Sequence, residues 1–267
     1  MAKQTVGVAP DPSEIFDRSA EEGQRRLDQS TLELVSTSII AGFTIVFGFA
    51  ALGIVEAIVR PQFGRLATIA GALAFGIAFT FLIVGRAELF NENFFDPVAA
   101  AVKNNDSWMV GPLVRLWSVT FALNLVGGVP FVWLLSVEGA LPHGAPEALT
   151  VVAEEIVHRS SAAEFVKAFT GGALVTLLSF LLSAVDSIGS RIVMAYSVGF
   201  LLTLGPFSHV IVSILHVTFG IAFGAPIGVV ALVRTTAVVT AGNLVGGLGL
   251  VTLTHVAQVK GARESDK

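Results

Sequence analysis

The sequence has no cysteine and few charged residues, and these two absences limit the class of protein that it can encode. Without cysteine the chain cannot form disulfides or thiolate metal sites. Asp, Glu, Lys and Arg make up only 13% of its 267 residues, whereas soluble domains carry about 25%. Hydrophobic residues make up 54%. The composition therefore excludes an ordinary soluble domain and indicates a membrane protein.

Several functional motifs are also missing. The sequence contains no nucleotide-binding motif, no Ser/His/Asp arrangement and no basic patch suited to nucleic acid. We therefore expect no enzymatic activity, no cofactor, no metal and no nucleic-acid partner. A basic stretch followed by an apolar run is absent from the start of the sequence, which predicts no cleaved signal peptide. A retinal protein would need a seventh span and a lysine within it, but Lys260 follows the last span.

Long apolar runs predict an all-α membrane protein with six transmembrane helices. A helix needs about 20 mostly apolar residues to span a bilayer. The candidate spans are Leu34–Val59, Leu66–Gly85, Leu116–Val137, Ala168–Val185, a fifth within Ile192–Val233, and Thr235–Val259. The fifth run is too long for one span, and Gly224-Ala225-Pro226 is expected to end it.

These spans predict a domain organisation and an orientation. The expected segments are a cytoplasmic N-terminal segment 1–32, a channel domain 33–257 (repeats of about 33–137 and 164–257, with a linker 138–163) and a cytoplasmic tail 258–267. Nine basic residues fall on the side of the termini: Lys3, Arg18, Arg25, Arg26, Lys103, Arg191, Lys260, Arg263 and Lys267. The opposite side has only Arg60, Arg65 and Arg159. The positive-inside rule then predicts a multi-pass protein of the plasma (inner) membrane with both termini in the cytoplasm.

One short motif, NLVGG, occurs twice, at Asn124–Gly128 and at Asn243–Gly247, and an arginine precedes each copy by nine residues, Arg115 and Arg234. The copies fall in the third and sixth spans. Because three is odd, two consecutive three-helix units cross the membrane in opposite directions, which predicts an inverted repeat with a transport path between its halves. Nine helical residues rise ~13.5 Å, so each asparagine is expected near the membrane midplane. The motif is also typical of close helix packing through small residues, and the two interpretations are compatible.

Both the second and the fifth span are predicted to be interrupted. Glycine and charged residues end the second span, and a Gly-Pro pair lies within the fifth, where proline removes a backbone donor. Interrupted helices at matching positions of inverted halves are typical of a transport site, although a proline kink in a packed helix is the alternative for the fifth. The candidate break or gate residues are Gly85, Glu88, Glu92, Asn93, Gly205 and Pro206. Glu88 and Arg86 are alternatively a buried pair with neighbouring helices.

At these residues the chain resembles the formate/nitrite transporter family, over about residues 30–260. The resemblance depends on Glu88-Leu89-Phe90, Asn124 with Gly127-Gly128, His209, and Ala241–Gly247. A resemblance to the YfdC-like branch depends on Arg86, Glu92-Asn93, Arg115-Leu116-Trp117 and His255–Gln258. It implies an aquaporin-like fold and a homopentamer in the lipid bilayer, in which each protomer has its own pore for small monovalent anions.

The resemblance also implies the pore residues. Two apolar constrictions would flank a central histidine, His209, and the candidate pore residues are Phe75, Phe79, Leu89, Phe90, Asn91, Asn124, Leu202 and Asn243. Phe75 and Phe79 lie four residues apart on one helix face, and lipid contact or core packing is their alternative role. Asn91 stands where characterised members usually have a threonine in a mobile loop. Their lysine before the fourth span has no clear counterpart, although His158, Arg159 and Lys167 are nearby.

The sequence leaves a mechanism and its rivals open. A small anion meets a high barrier at an apolar constriction, and histidine can supply a proton or a positive charge near neutral pH. His209 is therefore expected to act midway along the path, or else to be a neutral structural histidine. His216 lies two turns further along the same face, but no further metal ligands accompany it. The rival functions are a neutral-solute channel of aquaporin type, although the Asn-Pro-Ala signature is absent, and a membrane sensor or scaffold without transport.

Overall fold

The fold is described from a computed structural model, which covers residues 10–265 apart from 105–107 and 206. Every regular element in this part of the chain is a helix. The helices are α1 Pro12–Leu27, α2 Thr31–Phe63, α3 Leu66–Val84, α4 Asp96–Lys103, α5 Val110–Leu135, α6 Ala145–His158, α7 Ser161–Ser183, α8 Ile188–Leu204, α9 Val210–Ala222, α10 Val229–Leu244 and α11 Leu253–Ser265. A 3-10 turn at Phe90–Asn93 precedes α4, and a π-helical stretch at Val245–Thr252 joins α10 to α11.

Among the described residues, five helical stretches are long and apolar enough to cross a membrane. They are α2, α3, α5, α7 and the continuous stretch Val229–Ala262, which begins with α10. Helices α8 and α9 are apolar but shorter, and they occupy the residues predicted for the fifth span. The structure thus confirms an all-helical, multi-pass membrane protein in which the long apolar run after residue 187 is divided between two helices.

Serine caps fix the starts of α2 and α7. The Ser30 hydroxyl accepts a hydrogen bond from the Glu33 backbone N–H at 3.2 Å, and the Ser160 hydroxyl accepts one from the Ala163 N–H at 3.3 Å. Such caps satisfy backbone donors that have no partner in the first turn of a helix. Gly64, with a φ of +52°, ends α2 and turns the chain into α3. The first long helix of each predicted repeat therefore begins in the same way.

Two helices outside the predicted spans, α1 and α6, pack against the short helices that follow the breaks. The Phe16 ring of α1 lies 6.4 Å, edge to face, from the ring of Phe95, which immediately precedes α4. Ile156 and Val157 of α6 form an apolar cluster with Val217 of α9. The N-terminal segment and the linker therefore each contribute a packed helix, which the apolar runs alone did not predict.

The repeated motif brings two pairs of helices into backbone contact. A Cβ atom on Gly127 would lie 2.1 Å from the Ile39 carbonyl oxygen of α2, and one on Gly246 would lie 1.9 Å from the Phe169 carbonyl oxygen of α7. Any larger residue would therefore push the helices apart. The first glycine of each copy serves close helix packing, as small residues do in membrane proteins.

Candidate functional site

The side chain of Asn124 stabilises the helix break that follows α3, which is the non-helical segment between Val84 and the 3-10 turn. Its Nδ2 donates hydrogen bonds to the Ser38 carbonyl of α2 at 2.8 Å and to the Glu88 carbonyl at 2.9 Å. Its Oδ1 accepts a bond from the Phe90 N–H at 3.0 Å. Because the chain is not helical around Glu88 and Phe90, their backbone groups lack the partners that a continuous helix would supply, and the buried asparagine satisfies them.

Asn243 does the same at the break between α8 and α9. Its Nδ2 donates to the Ala168 carbonyl of α7 and to the Ser208 carbonyl, both at 2.7 Å, and its Oδ1 accepts from the Val210 N–H at 2.9 Å. In both breaks the accepting carbonyl belongs to the residue two positions before the donating N–H. The asparagines of the two NLVGG copies therefore hold two breaks through matching sets of hydrogen bonds.

Asn91 connects one break to the other. It is fully buried, and its Nδ2 donates a 2.8 Å hydrogen bond to Oδ1 of Asn243. Its neighbour Asn93 donates to the Leu89 carbonyl at 3.0 Å, while the Trp117 indole N–H of α5 donates to the Asn93 carbonyl at 2.7 Å. The loop after α3 is thus tied both to its own half and to the asparagine of the other half.

His209 is fully buried and forms the N-cap of α9. Its Nδ1 accepts hydrogen bonds from the N–H groups of Ile211 at 3.1 Å and Val212 at 3.5 Å. An accepting Nδ1 in a neutral imidazole leaves the proton on Nε2. That Nε2 has no hydrogen-bond partner among the described residues. Gly205 follows α8 in an extended conformation, and Pro206 lies outside the described residues.

The predicted constriction residues lie inside the protomer. Phe75 and Phe79 are fully buried, with ring centroids 6.4 Å apart, so they do not contact lipid. Leu89, Phe90 and Leu202 are buried in the same apolar cluster. Burial leaves core packing and pore constriction as the two remaining roles for these five side chains.

The charged side chain of Glu88 is paired with α1. It is buried, and its Oε1 accepts hydrogen bonds from Arg25 at 3.2 Å and from Gln29 at 3.1 Å. Arg26 lies 3.7 Å from the other carboxylate oxygen. A buried carboxylate without such partners would be strongly destabilising. The predicted burial and pairing of Glu88 therefore agree with the structure, and its charged partners come from α1. Arg86, predicted to be buried with Glu88, is instead exposed.

Arg26 makes most of the polar contacts between α1 and the residues that follow Glu88. Its guanidinium donates to the Glu92 carbonyl at 3.0 Å and to Oδ1 of Asn93 at 3.2 Å, and it lies 3.4 Å from the Asp96 carboxylate. Sequence reasoning counted Arg26 only toward orientation. The signal that could have revealed its role is the adjacent Arg25-Arg26 pair at the end of an amphipathic helix, close to the first span.

A second ion pair joins α1 to the start of the break. Arg86, which has a φ of +51°, lies 3.5 Å from Glu22. Burial tends to raise the pKa of Glu22, but the hydrogen bond from Arg25 and the charge of Arg26 outweigh it and lower the pKa to about 2. Glu22 therefore stays ionised over the physiological range.

The charged residues surround a cavity of about 690 Å³ between α1, the break after α3 and the region around the start of α8. Basic and acidic side chains both line it: Arg18, Arg25, Arg26, Arg86, Arg191, Glu21, Glu22, Glu88, Glu92, Asp96 and Asp186. Its walls also include Leu82 and Ala87, which border the apolar cluster of the constriction residues. The cavity is suited to be a polar vestibule on the α1 side of the molecule.

The repeated arginines hold the connections that precede α2 and α7. Arg115 donates to the Gln29 carbonyl at 3.1 Å. Arg234 donates to the Val157 carbonyl and, at 3.4 Å, to the Arg159 carbonyl. Each arginine therefore anchors the end of the amphipathic helix, α1 or α6, that precedes the first long helix of its half.

Two further histidines, the buried His216 and the half-buried His255, lie against aromatic rings. The His216 ring lies 4.6 Å from the Phe49 ring. The His255 ring lies 4.0 Å from Phe180 and 5.7 Å from Phe95. Over the part of the chain that the structure describes, no three His, Cys, Asp or Glu side chains come together as a metal site would require.

Comparison with known proteins finds relatives over most of the chain. The protein is 22% identical over 247 residues to the inner membrane protein YfdC of Escherichia coli (strain K12), a match that covers 92% of this chain and 78% of YfdC. It is 24% identical over 235 residues to a Bacillus subtilis (strain 168) protein, described as the uncharacterized transporter YwcJ, with coverage of 87% and 91%.

Solved structures show the same fold. An FNT family ion channel superposes with a TM-score of 0.80 at 17% identity and covers 92% of this chain and 99% of that channel. A pentameric formate channel with formate bound superposes with a TM-score of 0.69 at 18% identity, with coverage of 89% and 97%. The model of the formate/nitrite transporter family matches residues 13–257. The chain therefore belongs to the formate/nitrite transporter family.

Proposed function

We propose that the protein conducts small monovalent anions, such as formate or nitrite, or their conjugate acids, through a path within each protomer. Membership of the family supports a channel or transporter, and one protein of the same fold is a formate channel with formate bound. The observation that carries the proposal is the pair of breaks pinned by Asn124 and Asn243, with His209 beside the second. Non-helical backbone at membrane depth is tolerated where protein buries it or where it lines a water-filled cavity.

The path would lie between two inverted halves. The matching hydrogen bonds of Asn124 and Asn243, and the matching anchors of Arg115 and Arg234, support a repeat of the same architecture in both halves. In this arrangement α8 and α9 together form the fifth crossing. Transporters with inverted repeats commonly bind their substrate where broken helices of the two halves meet.

The free-energy cost of moving an ion through an apolar passage suggests different roles for the apolar and the polar central residues. Phe75, Phe79, Leu89, Phe90 and Leu202 would form two apolar constrictions, where an ion without partners faces a penalty of about 2.5–3.5 kcal/mol, by analogy with charged side chains.

The penalty would be lowered by the polar groups between the constrictions. The Nε2–H of His209 has no other partner among the described residues and can donate to a passing oxyanion or transfer a proton to it. Asn91 would lie beside it as an additional hydrogen-bonding group, and the break that carries Asn91, Glu92 and Asn93 would gate the α1 side of the path.

We further propose a homopentamer in the plasma (inner) membrane with both termini in the cytoplasm. Large apolar side chains such as Phe47 and Phe81 are about half exposed on the single protomer, as expected for surfaces that contact lipid or another copy. Native mass spectrometry of detergent-solubilised protein tests the assembly, and a dominant monomer or tetramer would contradict it. Cysteine labelling of intact cells with an impermeant thiol reagent tests the orientation: labelling at the exposed position 143 and not at the exposed position 104 is expected.

Flux through purified protein in liposomes tests the function. Formate, nitrite, acetate and hydrosulfide are compared with water, and protein-free liposomes are the control. We expect flux of at least one small anion that rises with the amount of protein. Water flux without anion flux would instead indicate a neutral-solute channel, and no flux of any solute would indicate a sensor or scaffold.

A further inference from the structure

His216 is a buried histidine to which the proposed mechanism gives no role. It lies in α9 seven residues after His209 and is 4% exposed. Seven residues advance ~10.5 Å along a helix and return to nearly the same face. Like that of His209, the Nε2 of His216 has no hydrogen-bond partner in the described part of the chain. A buried polar atom without a partner destabilises a fold, so two such atoms on one face of α9 need a physical reason.

The surroundings of His216 place it next to a predicted constriction. Its ring lies 4.6 Å from the Phe49 ring, which in turn lies 5.2 Å from the ring of Phe75. Phe219, one turn further along α9, lies 5.9 Å from Phe49. His216 is therefore one aromatic ring away from the side chain that the proposed function assigns to a constriction.

His216 also lies near a positive charge at the junction of α6 and α7. Val217 packs with Ile156 and Val157 at the end of α6, and Arg159 follows immediately. The Arg159 guanidinium is paired with Glu164 at 3.1 Å.

The second break lies deeper along α7 than this junction. The Ser208 N–H donates to the Lys167 carbonyl at 2.8 Å, six residues after α7 begins and so ~9 Å along it. Because α9 runs from this break back toward the end of α6, the order from the junction inward is Arg159, then His216, then His209.

We propose that His216 is a second substrate-contacting residue, which hydrogen-bonds a small carboxylate or oxyanion between Arg159 and His209. The inference rests on the proposed function and deepens it: the substrate would meet two histidine sites in succession, His216 near Phe75 and then His209. A hydrogen-bonding group before a constriction compensates part of the hydration that an anion loses there. The unpartnered Nε2 of His216 would then find its partner in the substrate.

A merely structural role for His216, as a flat ring packed on Phe49, predicts the opposite response to two substitutions. His216→Phe keeps the ring and removes the nitrogen atoms, while His216→Gln keeps a polar amide and removes the ring. A substrate contact requires the polar group, so His216→Phe should impair transport and His216→Gln should largely preserve it. A packing role requires the ring, so His216→Phe should be tolerated and His216→Gln should lower pentamer stability.

The test measures formate flux in proteoliposomes as a function of formate concentration, with pentamers of each variant checked by native mass spectrometry. Loss of a hydrogen bond to a charged ligand should raise the half-saturating concentration about 10-fold in His216→Phe. His216→Gln should stay within about threefold of wild type. The exposed His143 in the connection before α6 supplies the control, and His143→Gln should match wild type. Unchanged flux in an intact His216→Phe pentamer would overturn the inference.

A second measurement separates this inference from the proposed function and does not depend on His216→Phe assembling. Formate is titrated into ¹⁵N-histidine-labelled protein carrying His209→Asn, and the His216 imidazole resonance is identified by its loss in His216→Gln. A shift of that resonance with formate supports a site at His216 that is independent of His209. No shift would overturn the inference even if wild type conducts. Absence of flux in wild type together with a shift would overturn conduction but keep the site.

Discussion

The Nδ2 of Asn91 donates a 2.8 Å hydrogen bond to Oδ1 of Asn243, and this bond joins the break after α3 to the asparagine that pins the other break. The same Oδ1 also accepts from the Val210 N–H at 2.9 Å, so it lies between two donors. The loop that carries Asn91 therefore shares a hydrogen-bond acceptor with the N-terminus of α9, next to His209. A displacement of the Asn91 side chain would remove this contact and would leave the second break held by the other hydrogen bonds of Asn243.

The first prediction concerns Asn91 as a gate. Asn91→Thr removes the amide donor to Asn243 while a hydroxyl remains, so the loop should leave its ordered position more readily. We expect formate flux, or its dependence on pH, to differ from wild type by about 3-fold or more, since a net hydrogen bond contributes about 0.5–1.5 kcal/mol. Pentamer yield should not fall. Proteoliposome flux at several pH values measures the effect, and identical curves for wild type, Asn91→Thr and Asn91→Ala would exclude a gating loop.

The second prediction concerns the glycines of the repeated motif. Gly127→Ala and Gly246→Ala place a methyl group against a carbonyl oxygen of the neighbouring helix, so the helices must separate. We expect each variant to lose several degrees of thermal stability in detergent and to give less pentamer, because overpacking costs about 1–3 kcal/mol.

Gly111→Ala is the matched control for these variants. Gly111 also lies in α5, but a methyl group there would meet no atom within 4 Å among the described residues. Alanine favours a helix over glycine by about 1 kcal/mol, so this variant should be as stable as wild type or more stable. Equal stability of all three variants would show that the close approach of the helices is not needed.

The sequence predicted the elements that depend on local pattern and missed those that depend on tertiary pairing. Apolar runs located the long helices, and the repeated NLVGG drew attention to Asn124 and Asn243, which form matching hydrogen bonds in the structure. The sequence alone could not show that Asn91 donates a hydrogen bond to Asn243, because that bond joins residues 152 positions apart. Nor could it show that α1 supplies the partners of Glu88, since an amphipathic helix does not reveal which surface it will cover.

The third prediction concerns the ion pairs between α1 and the break. Arg26→Gln leaves the buried Asp96 without the guanidinium that lies 3.4 Å away and leaves Glu88 with Arg25 alone. Removing one partner of a buried pair costs about 3–5 kcal/mol. We expect α1 to lose its protection from hydrogen exchange, as measured by mass spectrometry of the solubilised pentamer. The exposed Arg65 supplies the control, and Arg65→Gln should match wild type. Unaltered protection of residues 12–27 in Arg26→Gln would contradict this role.

The pH dependence of the stability of α1 follows from the pKa of Glu22. Its folded pKa of about 2 lies below the ordinary value of 4.5. A lowered pKa contributes stability that is complete above about pH 4.5 and is lost only as the pH falls toward about 2. Between about pH 5 and 8, therefore, Glu22 should not change its charge, and the ¹³C resonance of its side-chain carboxylate should keep a constant chemical shift. A titration of that resonance within this range would contradict the assignment.

The last prediction concerns His209. Its Nδ1 accepts from the N–H groups of Ile211 and Val212, so part of its role is to cap α9. His209→Asn keeps a side-chain acceptor suited to an N-cap and removes the group that can exchange a proton near neutral pH. If His209 supplies a proton or a charge to the substrate, this variant should form stable pentamers yet discriminate less between formate and nitrite and lose most of the pH response of wild type.

His209→Phe separates the cap from the chemistry. Phenylalanine has a ring of similar shape but no acceptor, so the N–H groups of Ile211 and Val212 lose their side-chain partner and pentamer stability should fall by about 0.5–2 kcal/mol, the range for a lost N-cap. If capping were the whole role of His209, His209→Asn would conduct as wild type does and only His209→Phe would fail. Flux of formate and nitrite between about pH 5 and 8 distinguishes these cases, because proton exchange between His209 and the substrate would make the flux depend on pH. An unchanged pH profile and unchanged selectivity in a stable His209→Asn pentamer would remove the histidine from the transport mechanism.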